Sequence, residues 1–219
     1  MNQLADYDMM VHDAFAYAKE GVYERTDRWI RLILGTILLG IPLSGYIIRI
    51  YRGATPAPAV EDWGALFIDG LKLMVIGLIY AIPVIIVAVI TIWPLVMAAI
   101  AGNQEAIAAG IGTFLTSIVV LAIIGIIIAL FEFIGVVRFA RTGKMGEAFN
   151  FSAIIGTIGK IGWVSYIVAL IIMMVIVGII EMICMAIPFV GGLILFILIP
   201  FIVLFEARYL CQVYDSAGN

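Results

Sequence analysis

The chain has 219 residues, of which 65% are hydrophobic and 12% are charged. Because an ordinary soluble domain carries about twice this share of charged residues, the composition excludes a water-soluble fold and indicates an all-α integral membrane protein. The net charge is −3 and no basic block interleaved with aromatic residues occurs, so nucleic acid is excluded as a partner.

The N-terminal 28 residues predict an amphipathic helix. Apolar residues recur at spacings of three and four on one face: Tyr7, Val11, Phe15, Ala18 and Val22. The opposite face is more acidic than basic, so attraction to anionic lipid explains this helix poorly. We expect it to dock on the rest of the protein or to lie in the membrane interface.

Residues 30–48 predict a broken or re-entrant helical hairpin. This first apolar segment is short and contains Gly35, Gly40, Pro42 and Gly45. The positive-inside rule places all the flanking bases on one side only if the segment enters and returns, bending near Gly40 and Pro42. These bases are Lys19, Arg25, Arg28, Arg31, Arg49, Arg52 and Lys72. The alternative is an ordinary crossing, which leaves the N-terminal bases on the outer face.

The rest of the chain predicts two transmembrane hairpins, each preceded by an interfacial helix. The segments are a Pro-rich linker with an interfacial helix at 53–72, a hairpin at 73–137, a basic loop with an interfacial helix at 138–160, a hairpin at 161–210 and a tail at 211–219. The connectors at 101–106 and 188–192 carry no Lys or Arg and are predicted to face outside. We therefore expect one multi-pass domain, 1–219, in the cell membrane, with both termini and the basic loops cytoplasmic.

Two stretches predict an internal repeat of helical hairpins. Residues 45–53 and 135–143 both begin and end with glycine and contain Arg-x-x-Arg. An amphipathic stretch follows each, and then a lysine, Lys72 or Lys160, opens a long apolar helix. A duplicated hairpin unit would explain this order. The alternative is that any membrane helix that ends at a basic interface gives such a pattern by chance.

Two acidic residues inside the apolar segments, Glu132 and Glu206, lie near a basic boundary. A charge in hydrocarbon costs several kcal/mol unless it is paired or hydrated. We expect interfacial ion pairs across helices, such as Glu132 with Arg208 or Glu206 with Arg138. These pairs are predicted to be structural.

A third acid, Glu181, is the candidate functional residue. It is the only charged residue at 161–187, and no opposite charge is near it in the sequence. It would be protonated, or hydrogen-bond to Thr113, Thr116 or Ser117, or line a hydrated cavity that a proton or cation uses.

Catalytic and cofactor motifs are not predicted. The one histidine, His12, lies on the N-terminal helix, and the two cysteines, Cys184 and Cys211, form no CxxC pair. Without an HExxH or a Ser/His/Asp arrangement, an enzyme is the least expected class. Methionines near Cys184 offer soft ligands for copper(I), but methionine commonly fills gaps between helices, so no metal site is predicted.

The order of the motifs resembles a known family. A Pro-rich acidic linker leads into Glu61-Asp-Trp-Gly-Ala-Leu-Phe-Ile-Asp-Gly-Leu-Lys72, and the later loop reads Gly143-Lys-Met-Gly-Glu-Ala-Phe-Asn-Phe151. Over nearly the whole chain this is similar to the multi-pass membrane family called domain of unknown function 4013, found mainly in archaea. The resemblance implies an archaeal cell membrane and brings no assigned activity and no catalytic residues.

We therefore expect a non-enzymatic membrane protein with a structural or interactive role. Small residues such as Ala108 and Gly112, four apart, allow helices to approach closely. The expected partners are membrane lipid, a second copy in a homo-oligomer, or a larger membrane complex. The alternative is a small transporter or channel, which helices broken by proline and the isolated Glu181 would favour.

Overall fold

The structure, a computed structural model that describes residues 3–218, consists of helices joined by turns and one extended linker. The helices are α1 (Gln3–Ala18), α2 (Thr26–Ile37), α3 (Ile41–Tyr51), α4 (Trp63–Ile100), α5 (Gln104–Thr142), α6 (Phe151–Ile161), α7 (Trp163–Met185) and α8 (Gly191–Asp215). A π-helical turn, Lys19–Tyr23, follows α1, and a 3₁₀ turn, Met145–Phe149, precedes α6. Within residues 3–218 no strand forms, which confirms the all-α prediction.

Four helices are long and apolar enough to cross a membrane: α4, α5, α7 and α8. The 23 residues of α7 reach about 35 Å, and the 38 residues of α4 reach about 57 Å, against a hydrocarbon core about 30 Å thick. The chain is therefore a multi-pass membrane protein.

The predicted hairpin at 30–48 is formed by α2 and α3. Leu39 and Gly40 have positive φ angles of 59° and 70° and turn the chain between the two helices, and Gly35 packs against Pro42. With 12 and 11 residues, α2 and α3 are about 18 and 17 Å long, so neither can cross the hydrocarbon core. The tip is apolar and open, with Leu39 90% exposed.

Two boundaries differ from the prediction. The expected interfacial helix at residues 63–71 and the following span are one continuous helix, α4, because no proline or loop separates them. By contrast, α6 remains separate from α7 because Gly162, with φ at +92°, breaks the helix. At the other end of the chain, α8 continues to Asp215, into the predicted tail.

The described chain divides into two compact units. The first unit comprises residues up to Met74 and from Phe133 onward. Its central helix is α8, which packs against α1, α3 and α7. Three tyrosines with no exposed surface, Tyr46, Tyr166 and Tyr209, form part of its core. This unit is therefore a packed bundle with an aromatic interior.

The N-terminal amphipathic helix docks on α8, one of the two predicted placements. Its buried face overlaps the predicted one in part: Ala18 and Val22 are fully buried as predicted, Ala14 and Tyr17 are buried beside them, and Phe15 is 53% exposed. Phe15 remains at the edge of the contact, where its ring meets that of Phe201 of α8.

The second unit, Val75–Glu132, is a helical hairpin made by the remaining parts of α4 and α5. Inside it, Leu95 packs against Gly110. Most of its other side chains are apolar and exposed. Of the residues in the most apolar stretch of each helix, 11% are buried in α4 and 6% in α5, whereas 28% are buried in α7 and 39% in α8. This unit is therefore a hairpin with little internal packing.

Within the first unit, α3 crosses the start of α4 with the two backbones in direct contact. A Cβ atom on Gly45 would overlap the carbonyl of Leu66, and one on Gly70 would overlap the carbonyl of Ile41. Glycine is therefore required at both positions, as is typical of close crossings between membrane helices. The crossing fixes both ends of the linker at residues 53–62, which joins α3 to α4.

Candidate functional site

The linker at residues 53–62 is held by side chains from the surrounding helices. Pro56 and Pro58 lack a backbone N–H, so this stretch does not continue either helix and its carbonyl groups need donors from elsewhere. Tyr17 donates to the carbonyl of Ala54 at 2.9 Å, Arg28 to Ala57 at 3.0 Å, Tyr46 to Pro58 at 2.8 Å, Arg49 to Ala59 at 3.3 Å and Arg31 to Val60 at 3.0 Å. The linker therefore ties α1, α2 and α3 together.

The two tyrosines that bind the linker are buried enough to resist ionisation. Burial raises the pKa of Tyr46 to about 12, against a smaller opposing effect of the Arg28 guanidinium. Burial likewise raises the pKa of Tyr17. Both hydroxyls therefore remain neutral donors at physiological pH.

Arg208 of α8 joins α1 to the linker. Its Nε atom lies 2.7 Å from Oδ2 of Asp13, its Nη1 atom donates to Oγ1 of Thr55 at 3.1 Å, and its guanidinium lies 5.3 Å from the centre of the Tyr17 ring. The partner therefore differs from the predicted Glu132, because α1 docks along α8 and presents an acidic residue to it.

Arg138, at the end of α5, also has a partner other than the predicted Glu206. It donates to Glu147, because the 3₁₀ turn at Met145–Phe149 folds back towards the helix that precedes it. Hydrogen bonds from Arg138 and Asn150 hold the pKa of Glu147 below its usual range. This ion pair lies between two residues nine apart in the chain and is local in origin.

The ends of several helices converge in the first unit. Gln212 of α8 donates to the carbonyl of Met10 at 3.1 Å, and Arg141 of α5 contacts both carboxylate oxygens of Asp215 at 2.8 and 3.0 Å. The predicted topology requires that α1 and the last turns of α5 and α8 share one side. The assignment of that side to the cytoplasm stays a prediction.

Glu206 lines a cavity of about 110 Å³ within the first unit. The other residues around it are mainly apolar: Ile47, Tyr51, Phe133, Met173, Val203, Ala207 and Leu210. A charged carboxylate is costly in such surroundings, so the neutral acid is the form that this cavity favours. A carboxyl group that gains or loses a proton inside a membrane helix is the kind of group that proton and cation pathways use.

Glu181 does not line this cavity. It is exposed one turn before the end of α7, between apolar side chains such as Ile179 and Met182, which are 46% and 66% exposed. The structure therefore places Glu206, and not the Glu181 that the sequence favoured, beside a cavity.

The hydroxyl groups predicted as partners of Glu181 are used within their own helix. Thr113 donates to the carbonyl of Ala109, Thr116 to that of Gly112, and Ser117 to that of Phe114. Back-bonding of this kind satisfies a hydroxyl donor in hydrocarbon without a second helix.

Glu132, the last residue of the second unit, turns towards α4. Its Oε1 atom lies 3.6 Å from the position that a Cβ atom on Gly77 would take. The absent side chain at Gly77 therefore leaves room for the carboxyl group between the two helices of the hairpin.

The comparisons with known proteins give one match. No curated protein and no solved structure matches the chain. A family described as a protein of unknown function, DUF4013, matches residues 30–189. The match includes all but the first four residues of the α2–α3 hairpin, the linker and the helices α4 to α7, whereas Asp13, Glu206 and Arg208 lie outside it. Since this is more than half of the chain, and the motifs around Trp63 had indicated the same family, the chain belongs to the DUF4013 family.

Proposed function

We propose that the chain is a non-enzymatic membrane protein that works by self-association, with the second unit as the surface that another copy covers. The observation that supports this is the poor burial of the hairpin. Only 11% and 6% of the residues in the apolar stretches of its two helices are buried. In lipid, such a surface is available to another helix.

A second copy explains the surface of α5 better than lipid alone does. The exposed residues on one stripe of this helix are small: Ala108, Ala109, Gly112, Thr113 and Thr116. Nothing lies within 4 Å of the Cβ position of Gly112, so another helix has room to approach the backbone there. Small residues favour contact between membrane helices, whereas contact with lipid gains nothing from them.

Disulfide cross-linking in membranes tests this proposal. In a chain with Cys184→Ala and Cys211→Ala, one variant carries Gly112→Cys on the stripe and a matched variant carries Ile118→Cys on another exposed face of α5. Mild oxidation should link two chains through residue 112 and leave residue 118 mostly unlinked. Equal linking of both positions, or of neither, contradicts a specific contact through the stripe.

A second candidate function is proton or cation transport, which the position of Glu206 beside an apolar cavity favours. Flux measured in proteoliposomes with a pH-sensitive dye separates the two proposals. A transporter would lose flux in Glu206→Gln and keep it in Glu105→Gln, an exposed acid outside the cavity. If both variants and the unmodified chain give the same flux as liposomes without protein, this candidate is rejected.

A further inference from the structure

We propose that the first unit binds the hydrocarbon chain of a membrane phospholipid in a groove between α1, α2 and α8. The groove has a volume of about 430 Å³ and is lined by Phe15, Lys19, Tyr23, Trp29, Leu198 and Phe201. It uses no residue of the second unit, so this inference does not rest on the self-association proposed above.

The walls of the groove are held in place by specific contacts. Pro200 cannot donate a backbone hydrogen bond, so the turn of α8 that precedes it lacks one of its hydrogen bonds within the helix. In that turn the carbonyl of Ile197 accepts a hydrogen bond from Nε1 of Trp29 at 2.8 Å. The rings of Phe15 and Phe201 meet edge to face with their centres 5.3 Å apart. The groove is therefore formed before any ligand enters.

Hydrocarbon is the occupant that these walls fit. Leu198 and Phe201 belong to α8, a helix apolar enough to span a membrane, so the groove continues the surface that faces lipid. A peptide segment would bring backbone N–H and C=O groups that need partners. The groove offers it few, because the indole N–H of Trp29 and the carbonyl of Ile197 are already bonded to each other.

Three residues that line the groove suit the headgroup region of a phospholipid. Tyr23 and Trp29 are of the types enriched at membrane interfaces, and Lys19 adds an ammonium group beside them. Nζ of Lys19 lies 3.9 Å from Glu24, and both side chains are about half exposed, so this pair is weak. The remaining donors of the ammonium can face the phosphate that every phospholipid carries.

Fluorescence quenching by lipids that carry bromine on their acyl chains tests the site. One variant keeps Trp29 and replaces Trp63, Trp93 and Trp163 by Phe; the matched variant keeps only Trp93, which is 61% exposed on α4. Brominated phosphatidylglycerol is added to the full chain in detergent. Trp29 should be quenched with saturation near equimolar lipid, and Trp93 only in large lipid excess. Quenching of both at the same lipid ratio overturns the proposal.

Two further substitutions identify what is bound. Leu198→Phe fills the groove and should abolish saturable quenching of Trp29, while Leu193→Phe, at a 60% exposed position outside it, should not. Lys19→Gln should weaken binding of the brominated phospholipid about fivefold and leave that of brominated diacylglycerol unchanged. Saturable quenching that persists in Leu198→Phe, or equal affinity of Lys19→Gln for the phospholipid, contradicts the assigned site or its headgroup contact.

Discussion

The two units of this protein are both rich in apolar helix, but they differ in what holds them together. The first contains buried tyrosines, side chains bonded to the linker, and a helix crossing at Gly45 and Gly70. The second is a hairpin with a close packing contact at Gly110 and mostly open surfaces. Apolar composition therefore indicates which segments enter a membrane, whereas glycines and polar contacts decide which of them pack, because lipid is as apolar as the side chains it would replace.

The largest effect is expected where backbones touch in the first unit. Gly45→Ala places a methyl group against the carbonyl of Leu66, which cannot move without separating α3 from α4. We expect the free energy of unfolding, measured by detergent titration in mixed micelles, to fall by about 3 kcal/mol. Gly125→Ala in the second unit, with nothing within 4 Å, should be neutral or slightly stabilising. Equal losses of unfolding free energy in the two variants would contradict the proposed difference in packing between the two units.

A smaller effect is expected from the arginine that joins α1 to the linker. Arg208→Gln removes the contact with Asp13 and the guanidinium packing on Tyr17. The same titration should show a loss of about 2 kcal/mol. Glu105→Gln, an exposed change in the second unit, should cost a few tenths of a kcal/mol. A loss in Arg208→Gln no larger than that of the control would mean that α1 is held by its apolar contacts alone.

Loss of one hydrogen bond to the linker should lower the free energy of unfolding by less than the loss of Arg208 does. Tyr46→Phe removes the donor to the carbonyl of Pro58 and leaves that carbonyl without its tyrosine partner. We expect a loss of about 1 kcal/mol in thermal or detergent unfolding. Thr91→Val in the second unit removes a hydroxyl that bonds to carbonyl groups of its own helix and should change little. A neutral Tyr46→Phe variant would show that water replaces the tyrosine.

The smallest effect concerns pH. Because hydrogen bonds from Arg138 and Asn150 lower the pKa of Glu147 in the folded chain, its ionised form stabilises the fold above the ordinary pKa of 4.5. This contribution should be lost as the pH falls through the lowered value. A titration of unfolding from pH 7 downward should show a shallower decline in Glu147→Gln than in the unmodified chain. Parallel curves would contradict the role of the ion pair.

Much of the helical layout can be predicted from the sequence. Gly40, Pro42 and the arginines on both sides predict the turn between α2 and α3, because a short segment with bases at both ends cannot satisfy the positive-inside rule by crossing. The four long spans follow from their length and apolar composition. The turn and the spans depend on local sequence, so they can be predicted without knowledge of the tertiary structure.

The partners of the arginines could not be predicted in this way. Arg28 and Arg31 bind backbone carbonyl groups of the linker. Every residue has such a carbonyl, so the sequence does not show which ones an arginine will bind. Arg208 reaches Asp13, 195 residues earlier, only because α1 docks on α8. The one available signal was the linker itself, since Pro56 and Pro58 take away backbone donors and leave carbonyls that must be satisfied.

The contacts of α8 also set an order for assembly during synthesis. The linker, α1 and α3 are made early, yet Arg208 and Cys211, which donate to Thr55 and to the carbonyl of Ile50, belong to the last helix. Until α8 has been translated and inserted, the apolar face of α1 lacks the helix on which it docks. The ribosome must therefore produce α8 before α1 reaches a stable position, and until then α1 must wait in the interface.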